Sequence, residues 1–121
     1  AALHLPGFIV GAGTVLTRDH LDASVDAGAR FIVSPGLDEQ LVERAHSRGV
    51  AVLPGAATAT EVQRALRLGV ETVKFFPADR LGGLETIAAL AAPFRGATFV
   101  PSGGVTAQNA LVYLAHPAVL A

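Results

Sequence analysis

The sequence predicts a parallel α/β fold and, within that class, part of a closed (β/α)8 TIM barrel. Its apolar runs are continuous, which is typical of parallel strands covered on both faces. Helical segments with clear start and stop residues separate these runs. Turns rich in glycine, proline and hydroxyl residues follow the runs. Candidate functional residues lie at many of these strand ends, which favours a barrel, because a barrel builds its active site from all the βα loops.

Five runs are predicted strands, and a sixth strand is expected to begin at Val119. The five are residues 8–10, 31–33, 50–53, 72–76 and 98–100. An open dinucleotide-binding sheet is disfavoured, because Leu16 stands where the G-x-G-x-x-G pattern after Gly11 and Gly13 requires glycine. Since a full barrel has eight strands, we expect residues 1–121 to form a single partial barrel domain, truncated at both ends.

Five helices are predicted between the strands, each with a recognisable end. They are residues 17–27, 38–48, 60–68, 84–92 and 106–115. Glycines follow the first three of these segments, and prolines follow the last two. Asp38 and Thr106 are expected to cap their helices.

Composition excludes several classes of function. A formal net charge of −1 offers no electrostatic footprint for nucleic acid, and no apolar run is long enough to span a bilayer. The absence of cysteine removes disulfides and thiol chemistry, and is compatible with a cytoplasmic protein. The four histidines are scattered without ligand spacing, so we expect no metal site and no cofactor.

Lys74 is the strongest candidate for chemistry, because it is the sole lysine and lies inside the apolar run 72–76. Alternation along a strand places it on one face with Phe76. Desolvation would favour the neutral amine, which can attack a ketone or aldehyde to form a Schiff base. The alternatives are that Lys74 extends out to solvent or pairs with a buried acid.

The turn Ser102-Gly103-Gly104 is a candidate phosphate site, since successive glycines and a following helix can present N–H groups to an anion. A tight turn into a helix is the alternative. Thr14 closes the first glycine turn, and its hydroxyl could bind a carboxylate or simply stabilise the turn. Asp79 follows the strand of Lys74 and is expected to be a loop residue.

Five ordered segments resemble the 2-keto-3-deoxy-6-phosphogluconate (KDPG) aldolases, which are often also assigned 4-hydroxy-2-oxoglutarate (KHG) aldolase activity. In single-letter code they are VGAGTVL, SPG, LPG, VKFFPA and PSGGV, beginning at Val10, Ser34, Leu53, Val73 and Pro101. Together they run across almost the whole chain, and VKFFPA is the most specific.

The resemblance implies a metal-free class I aldolase of carbohydrate metabolism, a lyase of the Entner–Doudoroff pathway. Lys74 matches its Schiff-base lysine, and Thr14 the threonine that contacts the pyruvate carboxylate. Phe76 and Pro35 would line the substrate pocket. Ser102, Gly103 and Gly104 match part of the phosphate site, with serine where the family often has threonine.

The resemblance also implies a homotrimer and a barrel fragment covering about strands 3 to 8. The general-base glutamate and a substrate-binding arginine are expected upstream of residue 1, and the rest of the phosphate site after residue 121. The resemblance implies that the substrate is a phosphorylated 2-keto acid. Three other interpretations stay open: a non-catalytic module that binds a phosphorylated ligand, an inactive fragment, and a different phosphate-binding barrel enzyme.

Overall fold

The computed structural model describes residues 5–121 and confirms an α/β fold with parallel strands. The chain divides between Pro54 and Gly55 into two compact units. Among the described residues, no helix is long and apolar enough to cross a membrane.

The first unit is a three-stranded parallel sheet with two helices. Its strands are β1 (Gly11–Ala12), β2 (Phe31–Ser34) and β3 (Ala51–Pro54), paired in that order, and its helices are α1 (Arg18–Asp26) and α2 (Glu39–Ser47). Fully buried aliphatic side chains from both helices and the sheet form its core: Val15, Leu21, Ile32, Leu41 and Ala45.

The second unit contains α3 (Ala59–Arg67), β4 (Thr72–Phe75), a 3₁₀ helix (Ala78–Leu81), α4 (Gly83–Ala91), β5 (Thr98–Pro101) and α5 (Ala110–Leu114). β4 and β5 pair in parallel, with Lys74 opposite Val100. Gly55 adds a parallel bridge to Lys74, and Val119 adds one to Phe99. That second bridge agrees with the strand start expected at Val119.

The first strand lies later than predicted. Residues 8–10 are not in a strand, and β1 consists of Gly11 and Ala12, because these residues oppose Phe31 and Ile32 of β2. A Cβ at Gly11 would overlap the Phe31 ring, which would have to move to admit a larger residue here. The apolar run at residues 8–10 therefore precedes the strand and is not part of it.

α3 begins at Ala59, within one residue of the prediction, and is capped by Thr58: Glu61 N–H donates to Thr58 Oγ1, and the Thr58 hydroxyl donates to Glu61 Oε1. The last helix differs from the prediction. α5 begins at Ala110, not Thr106. Residues 107–109 form a turn, held by hydrogen bonds in both directions between Thr106 and Asn109.

A charged network joins α1 to α2. Arg44 donates two hydrogen bonds to Asp22, from Nε to Oδ1 at 2.9 Å and from Nη2 to Oδ2 at 3.0 Å. Arg48 donates to both Asp22 and Asp26, at 2.7 and 2.6 Å. The hydrogen bond from Arg44 is the main reason that the pKa of Asp22 lies below its ordinary value; the bond from Arg48 adds to it, while partial desolvation opposes it.

We predict that the contribution of Asp22 to stability disappears in acid. A lowered folded-state pKa means that the ionised carboxylate stabilises the fold above the unfolded pKa, near 3.8, and that this contribution falls as pH drops through the folded pKa. Asp22→Asn should therefore unfold at lower urea concentration than the wild type at pH 7. The two midpoints should converge as the pH falls below 3.8. Asp19→Asn, on the same helix, serves as the control, and a gap that stays constant throughout the acid range would contradict the assignment.

Candidate active site

The strand β4 separates its side chains onto two faces, as predicted. Val73 and Phe75 are fully buried on one face. Thr72 and Lys74 lie half-buried on the other, and Phe76 follows directly after the strand. The alternation therefore gives Lys74 and Phe76 a common side of the strand.

Lys74 is half-buried, not fully buried as the apolar run suggested. Its Nζ lies 4.7 Å from the centroid of the Phe76 ring, a cation–π contact when the amine is protonated. Val100 opposes Lys74 on β5. Among residues 5–121, Lys74 has no hydrogen-bonded or ion-paired carboxylate, so the pairing alternative finds no support. The amine has an aromatic ring as its neighbour and remains accessible from one side.

The residues that precede Lys74 on this face of the β4–β5 pair are polar. Thr72 and Thr98 lie opposite one another on β4 and β5, one alternation before Lys74 and Val100. Their hydroxyl oxygens are 2.8 Å apart and share a hydrogen bond. At this end of the face the two hydroxyl groups are therefore hydrogen-bonded to each other.

The glycine turn is attached directly to the end of β4. Ser102 N–H donates to Phe75 C=O at 3.0 Å, and Ala78 N–H donates to Ser102 C=O at 2.8 Å. Asp79 N–H then donates to Gly103 C=O at 3.2 Å. These bonds continue the β4–β5 ladder beyond both strands, so the structure brings Ser102, Gly103 and Gly104 to the same strand ends as Lys74 and Phe76.

Both glycines need the conformations that glycine permits. Gly103 has φ 106° and Gly104 has φ 69°. Within residues 5–121, neither backbone N–H has a hydrogen-bond acceptor. The turn thus presents two backbone donors without acceptors among these residues, as an anion-binding turn requires, and the phosphate site stays a prediction.

The helix expected to support this anion site is displaced. α5 begins only at Ala110 and has five residues, so the glycine turn does not lead straight into a helix. The Thr106 N–H is occupied by Asn109 Oδ1 at 2.7 Å, and Asn109 Nδ2 donates to Gly104 C=O at 3.0 Å. The predicted contribution of a helix N-terminus was therefore wrong for this turn.

Thr14 and Pro35 belong to the first unit, at the carboxyl ends of β1 and β2. Pro35 lines a cavity of about 170 Å³ together with Val15, Ser34 and Leu41. Thr14 is exposed and has φ 53°, the one positive φ outside glycine among residues 5–121. A β-branched residue in this region is strained, and such strain concentrates at functional positions.

Sequence reasoning missed Asp79, whose carboxylate packs against the glycine turn. An added Cβ at Gly104 would lie 2.5 Å from Cβ, Cγ and Oδ2 of Asp79. The acidic residue directly after VKFFPA was visible in the sequence, where it was expected to be a loop residue. In the structure it lies in the 3₁₀ helix Ala78–Leu81, and its contact with Gly104 depends on the distant glycine turn. A cavity of about 380 Å³ in the second unit lies at the opposite end of β5, around Thr98 and His116.

No group of three or more His, Asp or Glu side chains within residues 5–121 is arranged to hold a metal ion. The groups at the ends of β4 and β5 are thus one amine, an aromatic neighbour, a serine, two backbone donors and the Asp79 carboxylate. An amine can attack a carbonyl, and backbone donors of a glycine turn can bind an anion.

The model of one family, KDPG and KHG aldolase, matches residues 2–121. The chain belongs to the KDPG and KHG aldolase family. A 2-dehydro-3-deoxy-phosphogluconate aldolase from Treponema pallidum is 48% identical over 113 residues, covering 93% of this chain and 54% of that protein. The chain spans about half the length of the curated relatives it matches.

Solved aldolases of the family show the same fold. The Zymomonas mobilis KDPG aldolase crystallised with 3-phosphoglycerate has a TM-score of 0.92 at 44% identity, covering 96% of this chain and 56% of that one. The Legionella pneumophila KDPG aldolase, with pyruvate captured as a covalent carbinolamine, has a TM-score of 0.90 at 36% identity, covering 94% and 55%. The predicted resemblance is confirmed.

We predict that Thr14→Gly stabilises the first unit. The substitution removes the left-handed strain of about 1–2 kcal/mol but adds unfolded-state freedom of about 0.5–1 kcal/mol. The free energy of unfolding, measured by urea titration, should rise by about 0.5–1 kcal/mol. Thr14→Val, which keeps the branched Cβ and loses the hydroxyl, should leave it within about 0.5 kcal/mol of wild type. A less stable Thr14→Gly protein would show that the threonine is not strained.

Proposed function

We propose that this chain carries the Schiff-base centre of a class I aldolase, with Lys74 as the nucleophile. The reaction is cleavage of KDPG to pyruvate and glyceraldehyde 3-phosphate, with cleavage of KHG to pyruvate and glyoxylate as a second activity. Family membership supports this, and the observation that carries it is the accessible Lys74 amine beside Phe76 at the ends of β4 and β5.

The bond changes follow from imine chemistry. Neutral Nζ of Lys74 adds to the C2 carbonyl, whose oxygen takes up one proton from the amine and one from solvent and leaves as water, giving a protonated imine. A base removes the proton of the C4 hydroxyl, the C3–C4 bond breaks, and its electron pair enters the imine to form an enamine. The aldehyde departs, C3 is protonated, and water releases pyruvate and the free lysine.

The other proposed roles are those of binding residues. Phe76 would pack over the substrate, and Pro35 would line its pocket. Thr14 would bind the carboxylate with its hydroxyl. Ser102, Gly103 and Gly104 would bind the phosphoryl group, an assignment supported by the two glycine N–H groups that lack acceptors within residues 5–121.

Three finer features are proposals resting on the family. We propose that the five strands belong to one (β/α)8 barrel, as a single domain over residues 1–121 that corresponds to about strands 3 to 8. The parallel pairing within each unit and the resemblance to solved family members support it. A homotrimeric assembly and a cytoplasmic location stay predictions of the family resemblance.

We predict that pyruvate and sodium borohydride together modify Lys74. Reduction converts a Schiff base into a stable secondary amine, so intact mass should rise by one reduced pyruvate, and peptide mapping should place it on residue 74. Lys74→Arg keeps the positive charge but cannot form the imine at this position. The variant still has the amino terminus, the other primary amine, and is therefore the matched control for reaction there. The Lys74→Arg protein should show no adduct.

The same experiment separates the rival interpretation. A non-catalytic module that binds a phosphorylated ligand would show no adduct on Lys74 while still binding phosphate at the glycine turn. An adduct of equal yield in the wild type and in Lys74→Arg would assign the chemistry to the amino terminus and overturn the proposal.

A further inference from the structure

The side chain of Asp79 occupies one side of the Gly103–Gly104 turn. Its Cβ, Cγ and Oδ2 lie so close to Gly104 that a Cβ there would approach each of them to 2.5 Å. A Cβ on Gly103 would lie 3.4 Å from Asp79 Oδ1 and 3.2 Å from Ala78 N. Gly104 is therefore needed partly because the Asp79 side chain takes the adjacent space, whereas Gly103 is crowded mainly by the backbone of Pro77 and Ala78.

Backbone hydrogen bonds hold the carboxylate in this position. Ala78 N–H donates to Ser102 C=O at 2.8 Å, and Asp79 N–H donates to Gly103 C=O at 3.2 Å. These two hydrogen bonds fix the position of the Asp79 backbone relative to the turn. The carboxylate cannot leave the turn by a backbone shift without breaking these bonds.

The charge of Asp79 is only weakly compensated. Its nearest cation is Arg80, with Nε 3.9 Å from Oδ2, and the Arg80 side chain is 83% exposed. A contact at this distance with so exposed a partner contributes little. The Asp79 side chain is itself 45% exposed, and it lies against the glycine turn, whose two N–H groups have no acceptor within residues 5–121.

We propose that Asp79 is a specificity-determining residue that limits how much negative charge the glycine turn accepts. A monoanion or a neutral hydroxyl can use the two N–H donors at little electrostatic cost, whereas a phosphate dianion also meets the Asp79 carboxylate. Asp79 thereby sets the balance between phosphorylated and unphosphorylated 2-keto acids. This inference rests on the proposed function, in which the turn binds the distal end of the substrate.

The test is Asp79→Asn, which keeps the shape that packs against Gly104 and removes the charge. Inorganic phosphate is titrated at pH 8, where it is mainly dianionic, and the amide resonances of Gly103 and Gly104 are followed by NMR. Removing one like charge beside a dianion in a solvated site should lower the phosphate Kd about three- to tenfold. Raising the salt concentration should shrink this difference.

Glu71→Gln is the matched control, because Glu71 directly precedes β4, at the end of the strand away from the turn, and the substitution makes the same change in net charge. It should leave the phosphate Kd as in the wild type. An Asp79→Asn protein with the wild-type Kd would overturn the inference, as would an equal gain in Glu71→Gln. Phosphate that shifts neither glycine amide in any variant would overturn it as well.

A substrate comparison tests the same inference on the reaction. The ratio of kcat/KM for KDPG to that for KHG should rise about three- to tenfold in Asp79→Asn, mainly through the KM for KDPG. Lys74 trapping with pyruvate and borohydride should be the same in both proteins. Normal trapping with an unchanged ratio would overturn the inference and leave the aldolase proposal standing; lost trapping with tighter phosphate binding would do the reverse.

Discussion

The candidate site depends on the parallel ladder between β4 and β5 continuing past the ends of both strands. Inside the sheet the ladder places Lys74 opposite Val100. Beyond it, hydrogen bonds of 2.8–3.2 Å join Phe75, Ala78 and Asp79 to the Ser102–Gly103 segment. Since these bonds involve only backbone groups, they fix the strand of Lys74, the glycine turn and the segment of Asp79 in one register, provided that glycines occupy the turn. Specificity can then vary through residues such as Asp79 without disturbing the frame.

The two units hold positive φ angles at their candidate site residues in different ways. In the second unit the turn residues are glycines, so its positive φ angles cost little. In the first unit a threonine holds φ 53°, and the fully buried Val15 and its N–H bond to Val33 C=O at 3.1 Å keep the chain there. A threonine retained where glycine would be relaxed is consistent with a need for the hydroxyl.

Much of the fold and the central residue were predictable from sequence because their signals are local. Helical caps and terminal glycines located α1 and α2 within a residue, and alternation along 72–76 placed Lys74 and Phe76 together. β1 was misplaced because two residues of pairing depend on the partner strand and not on the apolar run. Asp79 was missed because its role arises from residues 24 and 25 positions further along the chain. The φ of Thr14 likewise results from packing and has no sequence signal of its own.

Arginine forms the salt bridges while lysine occurs once, at the candidate site, and this difference has a practical consequence. Every salt bridge among residues 5–121 uses arginine, as between α1 and α2, and these guanidinium groups are poor targets for carbonyl reagents. Lys74 is the one side-chain primary amine, and it is half-buried beside an aromatic ring. An amine-directed fluorophore or affinity tag would therefore give a homogeneous conjugate at one interior position once the amino terminus is blocked. Its emission would report the polarity and occupancy of that position directly.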